Sequence, residues 1–224
     1  MGLIVKICGL KDEAALNAAL DAGADMVGFV HFPKSPRHLP LPRIGELVRA
    51  VAGRAETVVL LVDPDNATLE QVAALGPGWL QLHGSETPAA VTAAKNIAGP
   101  RTRVMKALPV GGQADLRAIP LYAGIADRIM LDARPPRGAE RPGGLGKSFD
   151  WSILDGGAAN VPFMLAGGLT PTNVGGAIAR LGPFGVDVSS GVESAPGVKD
   201  VRLIKAFIEA ARAADRAGTK RVKS

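Results

Sequence analysis

The chain has 224 residues, of which 47% are hydrophobic and 4% aromatic, with one cysteine and a formal net charge of +5. This length and hydrophobicity allow one large buried core, the single cysteine excludes an internal disulfide framework, and the low aromatic content argues against a nucleic-acid-binding surface built on base stacking. The sequence shows neither a signal-peptide pattern nor a run of about 20 apolar residues. We therefore expect a cytoplasmic protein that binds neither nucleic acid nor a membrane.

The excess positive charge is concentrated at the C-terminal end of the chain. Between Arg212 and Lys223, five basic residues stand against Asp215 alone. Basic side chains complement the dipole at the end of a helix, and chain termini often fray. No linker or low-complexity tract divides the remainder. We expect a single domain over 1–224 whose tail frays from about residue 215.

Short β-branched segments alternate with amphipathic segments along the whole chain. The predicted strands are 3–8, 26–30, 57–62, 79–82, 103–107, 128–131, 163–166 and 186–189. The predicted helices are 11–22, 44–51, 67–74, 88–97, 114–121, 171–181 and 201–214. Eight strands that alternate with helices of this size predict a (β/α)8 TIM barrel. A doubly wound open sheet is the alternative fold, because it has the same βαβ pattern.

The active site of a TIM barrel lies where its strands end. The predicted strand ends are Cys8-Gly9, His31-Phe32, Asp63, His83-Gly84, Lys106-Ala107, Asp132, Gly167-Gly168 and Ser189-Ser190-Gly191. Most of these residues are polar or glycine and follow apolar runs directly, and a role in the core alone would not require ionisable groups there. Considered by itself, Cys8 could instead be a small buried side chain with no role in a site.

The last two strand ends predict a phosphate site. Gly167 and Gly168 expose backbone N–H groups, and Thr170 followed by Pro171 has the pattern of an N-cap with proline at the first helical position. The loops after the seventh and eighth strands commonly form the phosphate cradle of this fold. The predicted phosphate-binding residues are Gly167, Gly168, Ser189, Ser190 and Gly191.

A second glycine-rich stretch, Gly143-Gly144-Leu145-Gly146-Lys147-Ser148, resembles a P-loop only in part. A P-loop needs glycine where this chain has Arg141, and the stretch does not follow a strand. We interpret residues 141–148 as a lid over the site, with Lys147 as a side chain that could reach inward.

Several short motifs together carry a family resemblance. They are V-K-I-C-G (5–9), V-G-F-V (27–30), K-S-P-R (34–37), Q-L-H-G (81–84), L-D (131–132), G-K-S-F-D-W (146–151), A-G-G-L (166–169) and V-D-V-S-S-G-V-E (186–193). On these motifs the chain resembles the phosphoribosylanthranilate isomerases of tryptophan biosynthesis over nearly its whole length. That family converts N-(5-phosphoribosyl)anthranilate to 1-(2-carboxyphenylamino)-1-deoxyribulose 5-phosphate by an Amadori rearrangement.

The resemblance implies roles for individual residues. Cys8 would be the general base and Asp132 the general acid, Arg37 would pair with the anthranilate carboxylate, and Asp187 would lie near the sugar hydroxyls. It implies a small phosphorylated substrate and no cofactor, and the three histidines have no metal-ligand spacing. To work as a base near neutral pH, Cys8 should have a pKa below the ordinary thiol value of about 8.5, whereas Asp132 must keep its proton.

Other interpretations stay open at this point. Asp132 could be a cap or an ion-pair partner, Arg37 a solvated loop charge, and His83 is favoured as a satisfied polar side chain at the barrel mouth. The barrel isomerase of histidine biosynthesis performs the same rearrangement, but it would need a second phosphate cradle near Asp63 and His83. A phosphate-binding scaffold without catalysis is a third possibility. The oligomeric state, monomer or homodimer, is not readable from the sequence.

Overall fold

The structure, a computed structural model, describes residues 2–135, 138, 143–144, 146, 148–157 and 159–221, with the side chains of 219–221 left out. Eight parallel strands form a closed barrel in chain order. They are β1 (Ile4–Cys8), β2 (Met26–Val30), β3 (Glu56–Leu61), β4 (Trp79–Leu82), β5 (Arg103–Val110), β6 (Arg128–Ala133), β7 (Phe163–Leu165) and β8 (Gly185–Val188). Pairing of β1 with β8, from Ile4 with Gly185 to Ile7 with Val188, closes the barrel. The TIM-barrel prediction is confirmed, and the open-sheet alternative is wrong.

Helices surround the barrel on its outer side. They are α1 (Glu13–Asp21), α2 (Leu41–Val51), α3 (Asn66–Ala74), α4 (Pro88–Ala98), α5 (Ile119–Tyr122), α6 (Val174–Leu181) and α7 (Val201–Arg221). Short 3-10 helices cover Gln113–Ala118, Trp151–Gly157 and Ser190–Val192, and a small antiparallel hairpin, β9 (Glu193–Ala195) and β10 (Val198–Lys199), follows β8. No helix within the described ranges is long and apolar enough to cross a lipid bilayer.

Local side-chain chemistry explains where several helices begin. The Asp12 carboxylate accepts from the Ala15 N–H at 2.8 Å and caps α1, and Asp65 caps α3 in the same way through the Thr68 N–H. Thr87 caps α4, with Pro88 in its first turn. Such caps satisfy N–H groups that have no partner inside the helix.

The strands bury side chains on both faces. Facing inward, a compact cluster fills the barrel interior: Met26, Val58, Trp79, Met105, Ala107, Met130, Met164 and Ala166. A larger cluster lies between the strands and the helices. Because both faces are covered, the strands have the near-continuous apolar sequences typical of parallel sheets. Buried polar side chains such as Lys6 and Gln81 are the exceptions.

Several elements differ from the sequence prediction. Strands β5 and β6 are both longer than predicted. Pro109 of β5 pairs with Asp132 of β6, and Val110 pairs with Ala133, so Asp132 lies within β6. Thr170 is not the N-cap of α6: its N–H donates to the Asn173 Oδ1 at 2.8 Å, and the helix begins only at Val174.

At the C-terminal end, α7 continues to Arg221 through the segment for which the sequence predicts fraying. The hairpin of β9 and β10 is also absent from the sequence prediction. Its strands are only three and two residues long. Elements this short carry too little periodicity to be recognised from sequence.

Candidate active site

A cleft of about 860 Å³ opens at the carboxyl ends of the barrel strands. Its lining includes every site residue that the sequence predicts: Cys8, Arg37, Asp132, Gly167, Gly168, Asp187, Ser189, Ser190 and Gly191. His83, Gly143, Gly144 and Gly146 also line it. Residues that are up to 183 positions apart in the sequence thus share one cavity, because parallel strands end at the same face of the barrel.

Cys8 ends β1 and is 3% exposed, beside a buried ion pair. The Lys6 Nζ lies 2.6 Å from the Asp187 Oδ1. A Cβ added at Gly28 on the neighbouring strand would lie 2.9 Å from the Cys8 Sγ and 3.3 Å from the Lys6 Nζ. The missing side chain at Gly28 therefore makes room for the thiol and the ammonium group together.

These surroundings determine the protonation of the thiol. Burial raises the pKa of Cys8 above its ordinary value, and Asp187 adds to that effect, whereas the positive charges of Lys6 and Lys199 oppose it without reversing it. For Lys6, burial lowers the pKa, but attraction to Asp187 and Cys8 outweighs it, so the pKa is raised. At neutral pH these shifts favour a neutral thiol beside a charged lysine. The sequence-based requirement of a lowered Cys8 pKa is therefore not met.

Asp132 is 6% exposed, and each of its oxygens has a partner. The Oδ1 accepts from the Ala133 N–H at 2.8 Å, and the Oδ2 lies 3.0 Å from the His83 Nε2. The other ring nitrogen of His83 lies 3.0 Å from the Gln81 Nε2. His83 therefore contacts the predicted general acid directly. The sequence-based interpretation of His83, a satisfied polar side chain at the barrel mouth, did not include this contact.

Two glycines leave the carboxyl group of Asp132 accessible from the cleft. A Cβ at Gly143 would lie 2.7 Å from the Asp132 Oδ2 and 2.9 Å from the His83 Nε2. A Cβ at Gly167 would lie 2.4 Å from the Ala133 backbone nitrogen and 2.8 Å from the Asp132 Oδ1, and Gly167 has a φ of +86°. Any side chain at either position would crowd the acid.

Arg37 is 4% exposed and already has a carboxylate partner within the chain. Its Nε donates to the Glu193 Oε1 at 2.7 Å and its Nη2 to the Glu193 Oε2 at 2.8 Å. The Nη2 also donates to the Gly144 carbonyl at 3.2 Å. The bidentate edge of the guanidinium is therefore used on Glu193 and not on a substrate carboxylate. Among the described residues no acceptor is bound to the Nη1, which can therefore donate to a ligand.

Glu193 lies at the centre of a buried charge cluster that the hairpin builds. Its Oε1 also accepts from Lys199 at 2.7 Å, and the Lys199 Nζ donates to the Ser189 carbonyl at 2.8 Å. Although burial favours the neutral acid, hydrogen bonding from Arg37 and the charge of Lys199 hold the pKa of Glu193 below its usual value. The pKa of Lys199 is lowered, because burial disfavours its charge more than the nearby Glu193 carboxylate favours it.

The two predicted phosphate loops meet at one end of the cleft. Gly167 and Gly168 both have positive φ, at +86° and +65°, and neither donates a backbone hydrogen bond to another described residue. A Cβ at Gly191 would lie 1.8 Å from the Leu169 carbonyl oxygen, so glycine is needed for the loops to touch. The Ser189 hydroxyl donates to the Cys8 carbonyl at 3.1 Å, which directs its proton away from a ligand.

Two predicted strand ends do not reach the cleft. The Asp63 carboxylate accepts from the Ser85 N–H at 2.7 Å. Lys106 pairs with the buried Glu86 at 2.6 Å and donates to the Gly84 carbonyl at 2.8 Å. These groups join the loops after β3, β4 and β5 to one another. Their position at strand ends therefore serves the loop structure and not the cavity.

The sequence-based site assignment omits residues that line the cleft or contact its lining: Lys6, Gln81, Glu193 and Lys199. The first two carry a usable signal, because side chains two positions apart in a strand point to the same face. Lys6 shares the face of Cys8, and Gln81 that of His83. Glu193 and Lys199 carry no such signal, since they lie in a hairpin that only the tertiary structure shows. The lid prediction is untested, because Arg141 and Lys147 lie outside the described residues.

Comparison with known proteins agrees with this geometry. The family model described as N-(5'phosphoribosyl)anthranilate (PRA) isomerase matches residues 5–210. The N-(5'-phosphoribosyl)anthranilate isomerase of Bradyrhizobium diazoefficiens is 56% identical over 95% of this chain and 95% of its own length. The phosphoribosyl anthranilate isomerase structure from Thermotoga maritima is similar with a TM-score of 0.83 and 34% identity, over 94% of this chain and 99% of that one.

A further solved structure shows a phosphoribosyl anthranilate isomerase in complex with reduced 1-(o-carboxyphenylamino)-1-deoxyribulose 5-phosphate. It is similar to this chain with a TM-score of 0.79 and 32% identity, and the match covers 94% of this chain and 99% of that one. Its ligand contains a phosphate and an aromatic carboxylate.

Proposed function

The chain belongs to the N-(5'-phosphoribosyl)anthranilate isomerase family of tryptophan biosynthesis, and on that premise we propose that Cys8 and Asp132 are the base and the acid of its Amadori rearrangement. The observation that carries the proposal is that both groups line one cleft whose far end presents the glycine loops of β7 and β8. The reaction is an isomerisation, so it needs protons moved between positions and no external reactant.

The first step opens the ribose ring. Asp132 donates its proton to the ring oxygen, the C1–O bond breaks, and the nitrogen lone pair forms a C1=N bond. The open edge that Gly143 and Gly167 leave at the carboxyl group allows the ring oxygen to approach it. Asp132 becomes a carboxylate, and the hydrogen bonds from His83 and the Ala133 N–H are in place to receive that charge.

The second step removes the proton at C2. Cys8 first releases its own proton to solvent, and the thiolate then takes the C2 proton. The C–H electron pair forms a C1=C2 bond and the C=N electrons return to nitrogen, which gives an enolamine. Tautomerisation then moves the proton of the C2 hydroxyl to C1 and leaves the ketone. Since burial keeps the resting thiol neutral, Lys6 and Lys199 are the charges that favour the thiolate when it forms.

The remaining site residues hold the two anionic ends of the substrate. We propose that the Arg37 Nη1 binds the anthranilate carboxylate, with the guanidinium held by Glu193. The backbone N–H groups of Gly167 and Gly168 and the loop of Ser189, Ser190 and Gly191 bind the phosphate. Asp187, paired with Lys6, faces the sugar hydroxyls.

A bis-phosphorylated substrate, as in histidine biosynthesis, fits the other half of the cleft poorly. The Asp63 N–H and the Gly84 N–H donate to Glu86, and the Ser85 N–H donates to Asp63. The donors of these loops are therefore used by carboxylates, which would also repel a phosphate. We further propose a cytoplasmic location, because a base made of one free thiol needs a reducing compartment.

The test is turnover of freshly prepared N-(5-phosphoribosyl)anthranilate, followed by the loss of its fluorescence. Cys8→Ala and Asp132→Asn should each lower kcat by about 100-fold or more, since loss of a general acid or base costs about 10²–10⁴-fold. His38→Gln, which lies outside the cleft lining, is the control and should keep wild-type turnover. Binding of the product analogue without turnover by the wild type would instead support a non-catalytic phosphate-binding protein.

A further inference from the structure

Gln81 is fully buried inside the barrel, and its side-chain amide faces His83. Its Nε2 lies 3.0 Å from the His83 Nδ1 and 3.4 Å from the Met130 sulfur, while its Oε1 has no partner among the described residues. The Met130 sulfur thus accepts from the amide nitrogen, and the His83 Nδ1 lies within hydrogen-bond distance of the same nitrogen. Turning the amide over would place its oxygen against the Met130 sulfur and remove that hydrogen bond.

This amide orientation determines where the imidazole carries its proton. An amide nitrogen can only donate, so the His83 Nδ1 must accept and carries no proton. A neutral ring then has its proton on Nε2, and that atom lies 3.0 Å from the Asp132 Oδ2. An imidazolium would direct a second N–H at the amide nitrogen, which the contact does not accommodate.

The remaining charged groups around His83 are compensated. Lys106 donates to the carbonyls of Leu82 and Gly84, on either side of His83 in the chain, and its charge is paired with Glu86 at 2.6 Å. Within 4.0 Å of the His83 ring nitrogens, Asp132 is the only carboxylate partner among the described residues, and it lies at the Nε2.

We propose that Gln81 and His83 are positioning residues for the acid: Gln81 holds His83 as the neutral Nε2–H tautomer, and His83 donates that hydrogen bond to Asp132. The proposal rests on the proposed role of Asp132. His83 is accordingly neither a second acid nor a second base. Its hydrogen bond is strongest once Asp132 has given its proton to the ring oxygen and become a carboxylate, so it stabilises the transition state more than the ground state.

The direct test is the long-range ¹H–¹⁵N spectrum of the imidazole rings in the resting wild-type enzyme at neutral pH. The chain has three histidines, and the His83 signals are those lost in His83→Gln. We expect a protonated Nε2 and an unprotonated Nδ1. A proton on the His83 Nδ1, in either the other neutral tautomer or the imidazolium, would overturn the proposal without involving turnover.

Kinetics of paired variants supply the second test. His83→Gln keeps an amide N–H able to reach Asp132 and should retain kcat within about threefold, whereas His83→Leu should lower kcat by about 10–100-fold with little change in KM, the range for one hydrogen bond to a charged group. Gln81→Met removes the donor at similar volume and should lower kcat several-fold. His38→Gln is the control for a change of histidine elsewhere.

The pH profile separates positioning from a merely structural role. Without the donor, release of the Asp132 proton is less favourable, so in His83→Leu the decline of kcat on the alkaline side should move to higher pH, and His83→Gln should restore it. Equal kcat and equal profiles in the wild type and His83→Leu would refute the proposal. Full turnover by Asp132→Asn with an unchanged imidazole spectrum would show that Asp132 is not the acid. The proposed function would then fail, and this inference would fail with it.

Discussion

Glu193 holds Arg37 by two parallel hydrogen bonds, Nε to Oε1 at 2.7 Å and Nη2 to Oε2 at 2.8 Å, although the residues are 156 positions apart in the chain. Both side chains are about 5% exposed or less. This planar pairing is specific to the guanidinium group. It fixes the direction of the remaining Nη1 before any substrate arrives, so that substrate binding does not have to order the arginine.

Glu193→Gln should therefore weaken both the fold and substrate binding. Removal of one partner from a buried charge cluster leaves Arg37 and Lys199 uncompensated, at a cost of about 3–5 kcal/mol in the free energy of unfolding. We expect a raised KM, with kcat less affected. Denaturant unfolding and steady-state kinetics measure the two effects. Asp155→Asn breaks an exposed pair with Arg180 and is the control, expected to change stability by less than about 1 kcal/mol.

The stability difference between wild type and Glu193→Gln should depend on pH. Because the pKa of Glu193 is lowered in the folded protein, its stabilising contribution is present above the pKa of the unfolded chain and is lost as pH falls through the folded value. The two unfolding free energies should therefore converge in acid. A constant difference across this range would show that the ionised carboxylate is not the source of the effect.

The raised pKa of Cys8 predicts slow alkylation near neutral pH. Since the thiolate is the reactive form, a raised pKa leaves a smaller thiolate fraction at pH 7 than in a free cysteine, and the rate should climb about tenfold per pH unit until the pKa is passed. Iodoacetamide labelling measures this without ambiguity, because Cys8 is the only cysteine. A rate that is already maximal at pH 7 would contradict the prediction.

Two neighbouring substitutions should change that rate in opposite directions. Lys6→Met removes a charge that lowers the Cys8 pKa, so alkylation at neutral pH should become slower. Asp187→Asn removes a charge that raises it, so alkylation should become faster. Simple loosening of the barrel would speed alkylation in both variants. Opposite changes in the alkylation rate would therefore identify the charges as the cause. Circular dichroism of each variant confirms that it is folded.

Gly143→Ala should impair catalysis through the acid. The added Cβ would come within 2.7 Å of the Asp132 Oδ2 and 2.9 Å of the His83 Nε2, so it should displace one of these groups and lower kcat by about tenfold or more. Gly124→Ala is the matched control, because nothing lies within 4 Å of its Cβ position. Unchanged kcat in Gly143→Ala would mean that the contact between Asp132 and His83 tolerates displacement.

The phosphate loops predict a ligand-specific effect of Gly191→Ala. Its Cβ would lie 1.8 Å from the Leu169 carbonyl oxygen and would push the two loops apart. Calorimetry with the reduced product analogue should show weaker binding by about 10–100-fold, and the dephosphorylated analogue should bind wild type and variant equally weakly. Gly176→Ala in α6, with no atom within 4 Å of its Cβ position, is the control.

Much of this molecule is determined by local sequence. The alternation of apolar runs and amphipathic segments predicts all eight barrel strands, and two of them, Met26–Val30 and Trp79–Leu82, have the predicted bounds. Parallel strands place their ends at one face, so the positions of Cys8 and Asp132 at strand ends are enough to group them into one site. Their roles as base and acid follow from the family resemblance.

Tertiary structure alone decided the partners and the protonation of those residues. The contacts of Arg37 with Glu193, of Lys6 with Asp187 and of His83 with Asp132 join different strands and loops. The pKa of Cys8 is raised because burial disfavours the thiolate more than Lys6 and Lys199 favour it. Burial and the distances between charges depend on how the whole chain folds, whereas periodicity and strand ends depend on a few consecutive residues.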